Sequence, residues 1–292
     1  MSTLSLRRGP VSWCGGVVLI LASALGGCST QALLADALAQ NQQTDEDDVG
    51  LAREASAFYL KLSESVLREQ PGHARLGVAV ASGFAQYAYA FVAFEAERRE
   101  AQDPKGAQAE RMRATRLFAR AEGHARRALA TPIPDWEARL REDRMPSLSP
   151  EQRALGYWLA AAWAARISLS KDQPEVVADW PLAQRLALWV WRQQPDWGEG
   201  DVAALLGSLE ASLPGGQLAK AQAYFAQAQQ ASGGRKAGIW VAQAEALGLQ
   251  DRGQWEAWLR QALQVADRHR NLANAVMRER AQWLLDTADD RF

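Results

Sequence analysis

The sequence predicts an all-α fold of antiparallel helical hairpins stacked one on the next. Three observations carry that expectation. Apolar residues recur at helical spacing almost without interruption from Val49 onward. Continuous β-branched runs and Asn-Gly hairpin signals are missing. Helix starts and stops are marked by capping residues, and the connections between them are short enough to set successive helices antiparallel.

Residues 1–27 read as a secretory signal. Arg7 and Arg8 give the positive start, and Gly15 to Leu25 form an uncharged apolar stretch too short to span a bilayer comfortably. Leu25-Gly26-Gly27-Cys28 closes the segment and resembles the lipobox of bacterial lipoproteins. That resemblance implies that the Cys28 thiol takes a diacylglyceryl group, that the peptide is cut before Cys28, and that the new amine is acylated in turn. Each buried CH₂ contributes roughly 0.8 kcal/mol, so two or three chains anchor a protein stably where one does not. Ser29 follows in place of Asp, which by the same resemblance favours the outer membrane. Residues 28–48 are Gln-, Ala- and Asp-rich, end in Asp45-Glu46-Asp47-Asp48, and read as a tether with room for one weak helix.

Residues 49–292 form the helical domain. Helices are expected at 50–70, 73–101, 104–130, 150–170, 174–193, 199–212, 217–232, 237–249, 253–267 and 270–288. Ser149-Pro150-Glu151-Gln152 joins an N-cap Ser, a Pro at the first helical position and a Gln two residues later. Asp172, Asp196 and Asp251 open similar runs. Pro71-Gly72, Pro132 to Pro134, Pro214-Gly215-Gly216 and Gly233-Gly234 mark the stops. The longest uncharged apolar run of this domain, Ala154 to Ala165, is a core helix and too short for a membrane span.

A small–bulky–small triplet recurs along the chain. Ala114-Phe118-Ala121 and Ala221-Phe225-Ala228 share the spacing A-x₃-F-x₂-A. Trp255-Leu259-Ala262 repeats it in apolar character one period of about 34 residues later, and Ala183-Ala187-Val190 is a weaker copy. Small residues let two helices approach, and the bulky one fills the gap to the next pair. The pattern describes degenerate tetratricopeptide-like hairpins in a superhelix, with an irregular helical bundle as the alternative.

Composition narrows function. The 292 residues are 48% apolar and 23% charged, with a formal net charge of −1. No basic excess points to nucleic acid. His73, His124 and His269 lack metal-ligand spacing, and Cys14 and Cys28 make no disulfide framework. H-E-x-x-H, G-x-S-x-G, Walker A, G-x-G-x-x-G and C-x-x-C are all missing, so the expectation is a protein without catalysis, metal or cofactor.

The aromatic residues are the unusual feature. All but one of the twelve Trp lie at or beyond Trp136, while Phe84, Tyr87, Tyr89, Phe91 and Phe94 crowd one earlier helix. Positions 84, 87, 91 and 94 share a stripe, and Tyr89 lies off it. The Phe residues suit a core. Tyr87, Tyr89, Trp158 and Trp163 suit either a core or an apolar cavity with a few polar tips, the usual composition of a small-molecule site. Lys171 and Asp172, between two helices, suit either helix termini or a pocket mouth or partner surface. Arg113, Arg116, Arg120 and Arg127 share one face, which suits solvent or contact with lipid headgroups or an acidic partner.

Four segments then look familiar together: Phe84 to Val92, Tyr157 to Asp172, Leu209 to Gly216, and the tail from Leu272 to Phe292. They resemble the TatT family, the T component associated with tripartite ATP-independent periplasmic (TRAP) transporters. The resemblance implies a lipoprotein of cryptic tetratricopeptide-like hairpins on the periplasmic side of the envelope. It implies a homo-oligomer, a trimer, that associates with a TRAP-type periplasmic solute-binding protein, and a pore in each protomer that accepts a hydrophobic small molecule. Tyr87, Tyr89, Trp158, Trp163, Lys171 and Asp172 fall in the matching segments and are carried over as pore or partner-surface residues. The many Trp after residue 179 depart from the family. The rival expectation is an outer-membrane tetratricopeptide scaffold for an envelope assembly machine, with no small ligand.

Overall fold

Helix boundaries follow the punctuation of the sequence. The computed structural model describes residues 32–40, 46–213 and 215–292; the expected signal segment and Cys28 lie outside the described residues. Every regular element among the described residues is helical. A helix at 32–40 (α1) precedes α2 (Val49–Glu69), which starts where Asp48 Oδ1 accepts from Leu51 N at 2.9 Å. His73 caps α3 (Ala74–Tyr87), its Nδ1 accepting from Leu76 N at 3.0 Å. The helix continues through a π-turn segment, Ala88–Ala93, into α4 (Phe94–Arg99), and Phe94 N–H donates to the Tyr89 carbonyl five residues back. Asp103 caps α5 (Pro104–Ala130).

The short helix α6 (Trp136–Arg141) was not legible as an element, although Trp136 and Leu140 are spaced one turn apart and both are buried. α7 (Pro150–Ser168) opens on the expected Ser149/Gln152 capping box. The expected helix 174–193 is two: α8 (Pro174–Val177) and α9 (Trp180–Gln193). Pro181 explains the break, since its ring tolerates the first turn of a helix and not its interior. The expected Asp172 cap is not made either, for α8 begins after Gln173 with no side-chain cap.

α10 (Asp201–Ser212) starts later than expected, and Asp196 does not cap it. Gly198, Glu199 and Gly200 run through left-handed backbone, which holds the helix off until Asp201. Only glycine fits at 200, because a Cβ there would lie 2.6 Å from the Ala228 carbonyl oxygen. α11 (Leu218–Ala231), α12 (Ala237–Leu247), α13 (Arg252–Arg268, capped by Asp251) and α14 (Leu272–Asp286, capped by Asn271) complete the chain.

Packing follows a regular scheme. α3 packs on α5, α5 on α7, α7 on α9, α9 on α10, and then each helix from α10 to α14 on the next. In addition α3 touches α7, α7 touches α10, α10 touches α12 and α12 touches α14. The intervening helices α5, α9, α11 and α13 are the four that carry the small–bulky–small triplets. All twelve triplet residues are buried, none above 3% exposed. Where α10 crosses α11, a Cβ on Gly207 would come within 2.8 Å of the Phe225 ring, so glycine sets the spacing of that pair. α3 to α4 (Ala74–Arg99) is long and apolar enough in composition to cross a bilayer, but its most apolar stretch is 61% buried among neighbouring helices, as a central core helix is.

The first and last elements meet. Phe94 of α4 lies edge-on to Trp283 of α14, ring centroids 5.4 Å apart. Ala52, Phe91 and Val276 form a small apolar cluster with Tyr87, Leu272 and Met277 around it. The set α3/α4, α7, α10, α12 and α14 therefore closes into a ring of contacts.

α2 is pinned to α5 by charge. Glu64, 4% exposed, accepts from Arg120 Nε at 2.6 Å, from Arg120 Nη2, from Lys61 Nζ at 2.9 Å and from His124 Nε2 at 2.8 Å. Arg127 Nη2 donates to His124 Nδ1 at 3.2 Å, which fits a neutral imidazole. Burial alone would raise the Glu64 carboxyl, but the hydrogen bonds from Arg120, Lys61 and His124 outweigh it and hold its pKa at about 2. Burial lowers the His124 pKa, helped by the charges on Arg127 and Arg120, against the Glu64 hydrogen bond.

Both shifts act in one direction. The unfolded chain takes up each proton at a higher pH than the folded chain does. The stability these two groups supply is therefore present in full above about pH 6.5 and is lost on acidification, first through His124 and then, below about 4.5, through Glu64. Urea titrations between pH 7 and 3 should show this loss. Glu64→Gln should lower stability at pH 7 by about 2 kcal/mol and flatten the limb below pH 4.5. Phe225→Ala should lower stability by about 3–5 kcal/mol, read in the same titration, because the rigid α10–α11 contact cannot collapse onto the cavity.

Candidate functional site

The ring carries polar side chains on helices that are otherwise apolar. In α14, Val276, Arg280 and Leu284 recur every fourth residue, and all three are buried. Arg280 therefore occupies a core position as a cation. Its Nη2 donates to Glu97 Oε2 at 2.9 Å and to Glu245 Oε1 at 2.6 Å, and its Nε to Glu245 Oε1 at 3.2 Å. Its guanidinium carbon lies 5.1 Å from the centroid of Phe94 and 5.5 Å from that of Tyr89. One cation thus ties α4, α12 and α14 together where the ring closes.

The electrostatics follow from that enclosure. Burial raises the Tyr89 hydroxyl, partly offset by Arg280 and reinforced by Glu245 and Glu97. Burial also raises the Glu97 carboxyl, against the pull of Arg280. Burial would lower Arg280, but Glu245, Tyr89 and Glu97 hold it well above its ordinary value, so it stays charged. Yet Tyr89 keeps 36% of its surface accessible to water, and the Glu97 side chain 41%.

A second polar group lies around the start of α10. Lys236 Nζ donates to Asp201 Oδ1 at 2.7 Å and to the Gly198 carbonyl at 2.5 Å. Burial raises the Asp201 carboxyl against Lys236, and raises the Tyr157 hydroxyl well above its usual range, with Asp201 adding to it. The Tyr157 ring packs on Trp197, centroids 4.3 Å apart, and edge-on to Trp158 at 5.0 Å. Asp201 is likewise enclosed but wet, with 33% of its side chain accessible.

The six residues singled out from sequence do not converge on one site. Tyr89 stands beside Arg280. Trp158, half-buried, pairs with Tyr157 and packs toward the α2–α3–α5 cluster. Tyr87 turns the other way: its ring lies edge-on to Phe91 at 5.4 Å and its hydroxyl interacts electrostatically with Arg113 of α5. Trp163 is 1% exposed in the core, with Arg126 stacked 4.0 Å over its ring and its Nε1 donating to Asp179 at 3.3 Å. Lys171 and Asp172 are exposed in the turn between α7 and α8. Asp172 borders a surface depression of about 210 Å³ with Arg111, Met112, Thr115 and Arg116 of α5. The expected arginine face is mostly engaged: Arg113 pairs with Glu110, Arg120 with Glu64, and Arg127 with His124.

Sequence reasoning missed Arg280, Glu97, Glu245, Tyr157, Asp201 and Lys236. A charge at a stripe position of α14 is the one local signal for Arg280. Its partners lie 183 and 35 residues away in the chain, beyond the reach of spacing rules.

The fold and this ring define an all-helical protein whose ionised and aromatic groups, among the described residues, tie one element to another. The chain belongs to the TRAP transporter T-component family, TAtT, whose model matches residues 45–292. It is thus an accessory component of a TRAP transport system, periplasmic and associated with the envelope. It is also 25% identical, over 268 aligned residues, to an uncharacterized protein of Treponema pallidum (strain Nichols), with 85% of this chain and 82% of the relative covered.

Arg280→Ala removes the buried cation and leaves Glu97 and Glu245, each still partly accessible to water, unpaired beside each other, and should lower stability by about 2–3 kcal/mol. Chemical denaturation followed through Trp283 beside the cluster should show it, and Arg280→Lys, which keeps the charge and loses the fork, should recover only part.

Proposed function

We propose that this chain is a non-catalytic lipoprotein, anchored through acylated Cys28 to the periplasmic face of the outer membrane. In this reading its degenerate tetratricopeptide-like hairpins close around a lumen that holds an apolar solute, and the body docks a TRAP-type solute-binding protein as a homotrimer. The carrying observation is the wall of the ring. Tyr89, stacked against Arg280, and Asp201, paired with Lys236, sit on helices of the ring and keep about a third of their surface accessible to water, which suits the lining of a channel open to solvent. The contacts of α3, α7, α10, α12 and α14 with their next-but-one neighbours, and the buried triplets on the helices between, support the superhelix. Family membership supports the partner.

The mechanism asks little of any single contact. Tyr89, Tyr157 and Trp158 offer ring faces to an apolar body, and the two tyrosines offer hydroxyls to a polar end. Lys171, Asp172 and the depression beside them form an exposed surface for the partner. Anchoring keeps protein and partner in one thin compartment, so a weak docking contact suffices. Tyr87 and Trp163, turned into the packing, hold α3 and α7 in place.

Tyr89→Ala and Trp158→Ala should weaken binding of a fluorescent apolar probe at least about tenfold, while the melting temperature falls by no more than about 4 °C. Parallel losses in both measurements would make these residues core and sink the lumen. Partner capture by a chain that binds no apolar probe at all would leave a scaffold instead.

A further inference from the structure

We infer that the outer face of α1 and α2 is a membrane-contact surface, seated in the bilayer that holds the acyl chains of Cys28. This rests on the lipid-anchor reading above. Eleven large apolar side chains are exposed among the described residues, and five of them sit on these two helices: Leu33, Leu34, Leu51, Phe58 and Tyr59. Leu33 and Phe58 are 68% and 67% exposed, and the Phe58 and Tyr59 rings meet edge-on at 5.9 Å. The other six are scattered over as many elements and turns. Large apolar side chains left exposed on two helices that pack together, in a protein that otherwise buries such residues, mark a contact surface.

Chain length selects the occupant. Five residue steps separate Cys28 from Leu33 and reach at most about 17 Å when fully extended. α1 is not free to swing away from the body. Ala35 and Leu38 are buried in one cluster with Leu60, Leu67 and Leu76, and Asp36 Oδ1 lies 3.2 Å from His73 Nε2. The expected tether of residues 28–48 therefore shortens to the few residues before α1. An acylated sulfur in the membrane holds α1, and α2 with it, at the lipid headgroups.

The residue types fit that place. Tyr59 combines an apolar ring with a polar tip, as interfacial aromatics do. Lys61 has 58% and Arg75 65% of its side chain exposed, and Arg53 and Arg68 lie on the exposed side of α2. Glu54 and Glu69 are exposed on the same helix, so apolar insertion and not charge supplies most of the attraction.

The test uses the full acylated protein in phosphatidylethanolamine–phosphatidylglycerol vesicles. Phe58→Cys and, as a control elsewhere on the body, Leu249→Cys each carry an environment-sensitive fluorophore. Headgroup-region quencher lipids should quench the label at 58 at least about threefold more than the label at 249. Equal, water-like responses in protein whose acylation is confirmed by mass spectrometry would overturn the membrane face and leave the anchor standing. Absence of acyl groups would overturn the anchor instead. The Cys28→Ser chain then tests the face alone: it should float with the same vesicles, and Phe58→Ser/Tyr59→Ser should reduce that at least about tenfold. Unchanged flotation would overturn the proposal, as would shielding of the label at 58 in vesicle-free protein that sediments as an oligomer, which would assign the face to a second copy.

Discussion

Arg280 is a cation in a place built for carbon. Taking a guanidinium out of water carries a penalty of several kcal/mol unless its hydrogen bonds are replaced with good geometry. Here two carboxylates and two aromatic faces replace them, and they come from the α3/α4 helix and from α12, both distant in sequence from α14. The arrangement is complete only when the first and last parts of the chain are together. An apolar seam of the same area would tolerate sliding and partial opening. The buried ion pair tolerates neither, because any shift that separates the groups leaves a charge unpaired in low dielectric. The closed ring, and every polar side chain placed along it, depends on this junction.

Elsewhere the assembly rests on small residues. The triplets on α5, α9, α11 and α13 allow close approach, and glycines on the facing helices, such as Gly207 opposite Phe225, remove the last obstruction. These contacts are local in sequence, each hairpin packing on the next. They could make an open stack as readily as a closed one. The contacts between alternate helices together with the ionic junction, and not any property of one hairpin, therefore bring α4 and α14 together.

That division also decides what the sequence could say. Helix starts at Ser149 and Asp251 were legible because capping is a contact over three residues. The triplets were legible because packing between neighbouring helices imposes a spacing on each of them. The break at Pro181 and the left-handed turn before Asp201 were carried by single residues inside otherwise helical patterns, and periodicity averages over such residues. Tyr89 was legible as lying off the apolar stripe, but the reason for its position was not visible. It depends on Arg280, Glu97 and Glu245, three residues that share no window. Tyr87, two positions away and equally attractive in sequence, faces Arg113 instead. Rotation about a helix separates neighbours by about 100° per residue, so adjacency in the chain is a poor guide to a shared site.

The π-turn at Ala88–Ala93 has a consequence of its own. It absorbs one surplus residue, so side chains on either side of it stay in phase only at the present chain length. Upstream, Phe84 stacks against His124; downstream, Glu97 must face Arg280. Amino-acid exchanges within the widened turn leave that phase alone, whereas losing or gaining a single codon there would swing the whole distal half of the helix away from its partners. Across relatives that keep the ring, the residue count of this stretch should stay fixed.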